Sequence, residues 1–183
     1  MKMTIRRNLF TSSTLFFSLA WMLCLWSIES VRSQDKTGAA SDSLDLRGDL
    51  PNPRLISAAE LHQLPRVETH TTDPHEPGKE IVYAGTPLIE VLKAGGLRLD
   101  ADKAGIRETL TITVVVEAAD GYRAVFALAE LDPELTDRMI LLADTKDGQP
   151  LSPREGPFRI IVPGEKRPSR WVRQVTVVTV RKN

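Results

Sequence analysis

The chain has 183 residues, 42% of them hydrophobic, with 24 Lys plus Arg against 24 Asp plus Glu. That size suits one domain with a proper core, without help from disulfides or metals. Residues 1–33 carry Lys2, Arg6, Arg7 and Arg32 against Glu29, so the remainder has a net charge of −3, which excludes a non-specific nucleic-acid binder, since such a protein needs a basic surface.

Lys2, Arg6 and Arg7 precede a mostly apolar run over residues 9–28, and Val31-Arg32-Ser33 stands before Gln34. A positive start, an apolar stretch and a cleavable end form the pattern of a secretory signal. Residues 1–33 are therefore expected to be a signal peptide and the mature protein to be periplasmic or secreted. The competing reading is an uncleaved membrane anchor, because the run approaches the ~20 residues that span a bilayer. Cys24, the only cysteine, lies inside this run, behind Trp21-Met22-Leu23, which are too bulky for a lipoprotein cut. The mature domain then has no disulfide, no thiolate nucleophile and no thiolate metal ligand.

Residues 34–43 are rich in small and polar residues and read as a flexible linker, leaving 44–183 as the folded domain. Residues 44–50 read as a strand ended by Pro51-Asn52-Pro53. Ser57 and Glu60 form a capping box for a helix over 58–64, stopped at Pro65. Residues 67–72 read as a strand, 73–78 as a loop broken by two prolines and a glycine, and 80–84 as a strand. Thr86 is expected to cap a second helix with Pro87 at its first position. Leu88, Val91 and Leu92 form its apolar face, and Gly95-Gly96 end it. A short helix or turn is expected over 101–107. From Thr109 the period changes. Residues 109–118 include the continuous Val114-Val115-Val116, which predicts a strand covered on both faces. Asp120-Gly121 is a hairpin turn, 122–128 the return strand, and 130–136 a turn or helical loop. Residues 138–144, 158–162 and 172–181 supply the last strands. There is no internal repeat, and the fold class is a sheet-centred α+β domain.

The chain lacks a Gly-rich phosphate loop, HExxH, GxSxG and CxxC. His70, Asp73 and His75 present two imidazoles and a carboxylate, but in a proline-broken loop. Zinc needs three or four ligands in fixed geometry, so a solvated polar loop is favoured and no metal site is expected. Lys166, Arg167, Arg170 and Arg173, with Arg154 and Arg159, form a basic cluster. Arginine forks suit phosphate and sulfate oxygens. On charge alone, a solvated loop beside a charge-protected edge strand is the favoured reading. Asp132 and Glu134 fall on a turn and give no acid/base pair. Trp171, the only Trp outside the apolar start, is expected to pack against the sheet.

Five ordered segments carry a resemblance: Tyr83-Ala84-Gly85-Thr86-Pro87-Leu88 running into Ile89–Gly96, Val114-Val115-Val116-Glu117-Ala118-Ala119-Asp120-Gly121-Tyr122, Asp147-Gly148-Gln149-Pro150-Leu151, Gly156-Pro157-Phe158-Arg159 through Pro163-Gly164, and Arg170-Trp171-Val172-Arg173. In this order they resemble the molybdopterin-binding domain of the sulfite oxidase family. The resemblance implies an α+β domain holding a pterin-dithiolene cofactor, and places Arg159, Arg170, Gly156, Gly164 and Tyr122 at the cofactor. Catalytic members hold molybdenum through a cysteine before the Gly-x-Pro-Leu helix, whereas residues 68–75 here contain none. Such members also carry a histidine before the Gly-Pro segment, where Arg154-Glu155 stand here. The resemblance thus implies an exported protein that binds an anionic cofactor or small ligand without standard sulfite oxidase chemistry. A true molybdenum oxidoreductase and a protein-interaction module with a protein partner are the alternatives, and whether the chain is an enzyme stays open. A membrane is a partner only if the signal segment stays uncleaved.

N-terminal sequencing of the protein exported by a bacterial host is expected to begin at Gln34. Recovery of the intact Met1 chain in the membrane fraction would establish the anchor instead.

Overall fold

The computed structural model describes residues 42–73, 76, 78–100 and 102–183. The signal segment with Cys24, the linker up to residue 41, and His75 lie outside the described residues.

Among the described residues, ten strands, three short α-helices and two 3-10 turns follow one another. β1 is Ser43–Gly48, β2 Arg54–Ser57, α1 Ala58–Leu61, β3 Val67–Thr72, β4 Glu80–Pro87, α2 Leu88–Ala94 and α3 Lys103–Thr109. Then come β5 Ile112–Ala118, β6 Arg123–Ala127, a 3-10 turn at Leu128–Glu130, β7 Leu141–Lys146, β8 Gln149–Pro150, β9 Arg159–Ile161, a 3-10 turn at Pro168–Arg170, and β10 Val175–Lys182. One five-stranded sheet has the order β2-β1-β10-β5-β6, with β1 and β10 parallel. The other runs β3-β4-β7-β8, with β9 also paired to β7. Among the described residues no helix is long and apolar enough to cross a membrane.

β10 is the centre of the first sheet, and Val175, Val178 and Val180 on it are fully buried. Beside it, β5 alternates. Ile112, Val114, Val116 and Ala118 are buried, and the residues between them are half-buried. The expectation of a strand covered on both faces is corrected: the three-valine run covers one face fully and the other partly.

Local signals set several ends. Ser57 Oγ accepts from the Glu60 amide at 3.3 Å and the Ser57 amide donates to Glu60 Oε2 at 3.0 Å, a complete capping box. The helix it starts has only four residues rather than seven. Asp102 caps α3 by accepting from the Gly105 amide at 2.7 Å. The expected role of Thr86 is corrected. β4 runs on through Pro87, whose ψ of 133 is extended, and no side chain caps α2. Pairing with β7 (Thr86 with Leu142, Pro87 with Leu141) holds this segment as strand. Thr86 is 2% exposed and instead donates its hydroxyl to Leu61 O at 3.2 Å, at the end of α1. β2 was not expected. It is short and follows two prolines, and its pairing with β1 defines it.

Gly85 marks the tightest approach in the second sheet. The β4–β7 register slips between Ala84 and Gly85, and a Cβ on Gly85 would lie 2.1 Å from Leu142 O and 2.6 Å from Ala143 Cα. Backbone on the far side leaves room for glycine only. Gly85→Ala is expected to lower the unfolding free energy by about 1–3 kcal/mol, seen as a lower urea midpoint. An unchanged midpoint would mean that β4 and β7 separate at no cost.

Candidate functional site: a ring-floored cationic cleft

A cleft of about 720 Å³ opens where β4, β9 and the segment before β10 meet. Its floor comes from alternate residues of β4, Ile81 and Tyr83, both about 1% exposed. Trp171 follows the second 3-10 turn and stands edge-on to Tyr83, with ring centroids 6.0 Å apart and planes at 89°. Its Nε1 donates to Val162 O at 3.0 Å, which fixes the indole. Trp171 is thus buried as expected, and it also walls the cleft.

Arg159, the first residue of β9, lies over both rings, its guanidinium carbon 5.6 Å from each centroid. Cation–π attraction of this kind strengthens as water is removed. Nη1 donates to Tyr83 Oη at 3.2 Å and also pairs with Glu155. Nε is buried and has no acceptor. Buried donors are nearly always satisfied, so an orphan calls for an explanation such as a water, an ion or a ligand. Burial raises the Tyr83 phenol above its ordinary pKa, against the opposing pull of Arg159.

Four cations and three carboxylates line the cleft: Lys146, Arg154, Arg159 and Arg173 against Asp73, Asp120 and Glu155. Lys146 Nζ lies 5.9 Å from the Tyr83 centroid. Arg154 and Arg173 are exposed and make no ion pair among the described residues. Gln174 holds the loop that carries Arg154 and Glu155. Its amide N–H donates to Glu155 O and its side-chain Nε2 to Pro153 O, both at 2.9 Å. Gln174 does this at a φ of 50, in a region a non-glycine residue seldom enters. Sequence reasoning missed Gln174, Glu155 and Lys146 as cleft residues. The i,i+4 spacing of Glu155 and Arg159 was a readable signal, but nothing in the sequence marks the backbone of Gln174.

Of the five residues placed at the cofactor by resemblance, two line the cleft. One is Arg159. The other is Tyr122, half-exposed at the mouth, which donates its hydroxyl to Ser169 O at 2.6 Å. Gly156, Gly164 and Arg170 lie outside the lining. Gly156 is buried in the loop, with its amide on Ser152 O at 2.8 Å. Gly164 has a φ of 78 in an open turn. Arg170 is committed elsewhere. Its Nε donates to Glu165 Oε1 at 2.7 Å, and Nη1 and Nη2 both reach Glu130 Oε2 at 3.1 Å. The guanidinium also covers Phe126, 4.7 Å from the ring centroid. Burial pulls the Arg170 pKa down, but the two carboxylates outweigh it and leave the pKa raised.

The remaining candidates sit apart. His70 Nδ1 is 2.8 Å from Glu80 Oε1 on an exposed strand. His62 Nε2 is 3.1 Å from Asp144 Oδ2, and Arg66 grips both oxygens of that carboxylate at 2.7 Å. Asp132 is buried in its turn, accepting from the Glu134 amide at 2.9 Å. Among the described residues, no group of three or more His, Cys, Asp and Glu is placed to hold a metal.

The profile of the oxidoreductase molybdopterin binding domain matches residues 77–183, more than half of the chain, and the chain belongs to that family. Its fold is similar to that in the crystal structure of the sulfane dehydrogenase SoxCD from Paracoccus pantotrophus, with a TM-score of 0.59 at 18% identity. That match covers 79% of this chain but only 39% of the other, so this chain corresponds to well under two thirds of it. At such identity the likeness is one of fold, and it agrees with the sheet-centred α+β expectation. No curated protein matches the chain.

Molybdopterin joins a planar pterin to an anionic phosphate and a dithiolene that carries the metal. The cleft's aromatic pair, unpaired rim cations and orphaned Arg159 Nε fit the anionic and planar parts. The donor set fits the metal less well: the sole cysteine is Cys24, in the apolar start, so the domain brings no thiolate of its own.

Arg170→Ala is expected to destabilise the fold by about 1–3 kcal/mol, because Glu130 and Glu165 lose their partner, while the affinity of the cleft for anions stays unchanged. Urea denaturation and a binding titration check both halves. Lost anion binding in a variant that still folds would place Arg170 at the ligand.

Proposed function

We propose that this chain binds a small anionic ligand with a planar ring in the Tyr83–Trp171 cleft, and that it works outside the cytoplasm without standard sulfite oxidase chemistry. The observation that carries the reading is the pair Arg154 and Arg173, exposed at the rim of a ring-floored cleft with no carboxylate of their own. Arginines in such positions bind anions through charge-assisted, often bidentate hydrogen bonds. Tyr83 and Trp171 line the cleft beneath Arg159, and small-molecule sites commonly combine such apolar walls with a few polar groups. A molybdopterin-type cofactor is one ligand of this class. If bound, it would supply redox chemistry through its dithiolene-held metal. The residues here would hold its anionic end at Arg154 and Arg173 and its ring near Tyr83. Membership in the family supports that choice, and the absence of a thiolate in the domain argues for binding rather than catalysis.

The test is to purify the protein from a host that makes the cofactor, and to measure bound molybdenum and released pterin fluorescence beside Arg154→Ala/Arg173→Ala. The expected result is an anionic ring ligand at near-stoichiometric level, little molybdenum, and loss of the ligand in the double variant by roughly tenfold or more. Stoichiometric molybdenum would overturn the binding-only reading in favour of a molybdoenzyme. No ligand, together with no affinity for added pterin phosphates, would leave the fold as a protein-interaction scaffold.

A further inference from the structure

The two sheets end in β2, β6, β3 and β8. An open strand edge invites another chain to pair, and three of these edges are blunted against it. β2 has four residues and follows Pro51 and Pro53. β6 has Arg170 and Glu130 over its backbone. β8 has two residues, one of them Pro150. β3 differs: its six residues are half threonine, with no proline and no lysine, and among the described residues they pair with a strand on one side only.

The outward groups of β3 follow from its neighbour. Val82 uses its amide on Asp147 Oδ1 at 3.0 Å, and its carbonyl accepts from the Asp147 amide at 2.7 Å, both on the β7 side. His70 stands opposite Val82 and receives neither bond. Asp73 donates its amide to Lys79 O at 2.8 Å. Bonding alternates along an antiparallel pair, so Val67, Thr69 and Thr71 bond to β4, and the backbone amides and carbonyls of Glu68, His70 and Thr72 face away from it. The side chains of these three are exposed as well. Glu68 makes no ion pair among the described residues, and His70 uses Nδ1 alone, 2.8 Å from Glu80 Oε1.

We propose that β3 is an interface with a second copy of this chain, the two β3 strands pairing antiparallel about a two-fold axis at Thr69. Opposite residues in such a pair share a face, so exposed residues must meet exposed ones. Centring on Thr69 sets Glu68 opposite His70 of the second copy, and the axis repeats the match. The unpaired carboxylate then meets an imidazole with a ring nitrogen to spare, while Thr69 meets its own counterpart. Pairs of both kinds stabilise strand contacts. The outward amides and carbonyls of Glu68 and His70 exchange hydrogen bonds across the axis, and the second sheet continues into that of the other copy. Centring on His70 instead sets imidazole against imidazole and leaves each Glu68 facing Thr72. One strand pair is a small interface, so the dimer is a weak one. It needs no ligand in the cleft.

Sedimentation velocity on the exported chain, from micromolar to near-millimolar concentration, is expected to show a monomer–dimer equilibrium with a Kd of roughly 10–1000 µM. Glu68→Lys and His70→Glu each set like charges opposite one another and are expected to weaken the dimer by about threefold to tenfold. The double variant Glu68→Lys/His70→Glu restores opposite charges and is expected to recover it. All three change exposed side chains that the fold does not use for packing. In a Cys24→Ser background, Thr69→Cys is expected to form a disulfide-linked dimer on mild oxidation, and His70→Cys is not. A chain that stays monomeric over the whole range overturns the proposal. So does a dimer indifferent to both single charge changes, or linkage through His70→Cys in place of Thr69→Cys.

Discussion

Arg159 lies across the edge-to-face pair of Tyr83 and Trp171, and this stack joins three separate parts of the chain. Tyr83 comes from β4, Arg159 from the start of β9 and Trp171 from the turn before β10. Each ring is buried, and each polar tip reaches a partner: Tyr83 Oη accepts from Arg159, and Trp171 Nε1 donates to Val162. A guanidinium in so dry a place needs a counter-charge, because an unpaired buried ion costs several kcal/mol. Glu155 supplies it, and the loop bearing Glu155 must then be held near β10, which Gln174 does. The shape of the cleft follows from the need to seat one charge between two rings.

The basic residues near the C-terminal end look like one patch in the sequence but divide between two tasks. Arg154, Arg159 and Arg173 face the cleft. Arg170 faces away, towards the outer edge of β6. There its Nη1 lies 3.5 Å from Val125 O, while Glu130 accepts from the Ala127 amide at 3.2 Å. Together the ion pair covers backbone groups of the last strand of the first sheet, which would otherwise invite another chain to pair.

How much of this was legible depends on range. The capping box of Ser57 and Glu60, the Asp120-Gly121 turn and the β5 strand rest on residues within a few positions of each other, and all were readable. Thr86-Pro87 misled for a tertiary reason. A proline reads as the first residue of a helix, yet pairing with Leu141 and Leu142 keeps that stretch in the sheet. β2 was invisible because its evidence lies in β1. The same holds at the site. Arg159 and Tyr122 were reached through an ordered set of motifs that spans the cleft. The commitment of Arg170 to Glu130, forty residues away, leaves no local trace.

The first sheet places its latest strand at its centre. β10 ends one residue before the last of the sequence and lies between β1 and β5, parallel to the first strand of the domain. Until residues 175–182 emerge from a ribosome, β1 lacks a neighbour on one side and the β5–β6 hairpin has nothing to rest against. β1 with β2 on one side and the β5–β6 hairpin on the other are joined through β10 alone, so the first sheet closes as one unit when that strand is inserted between them.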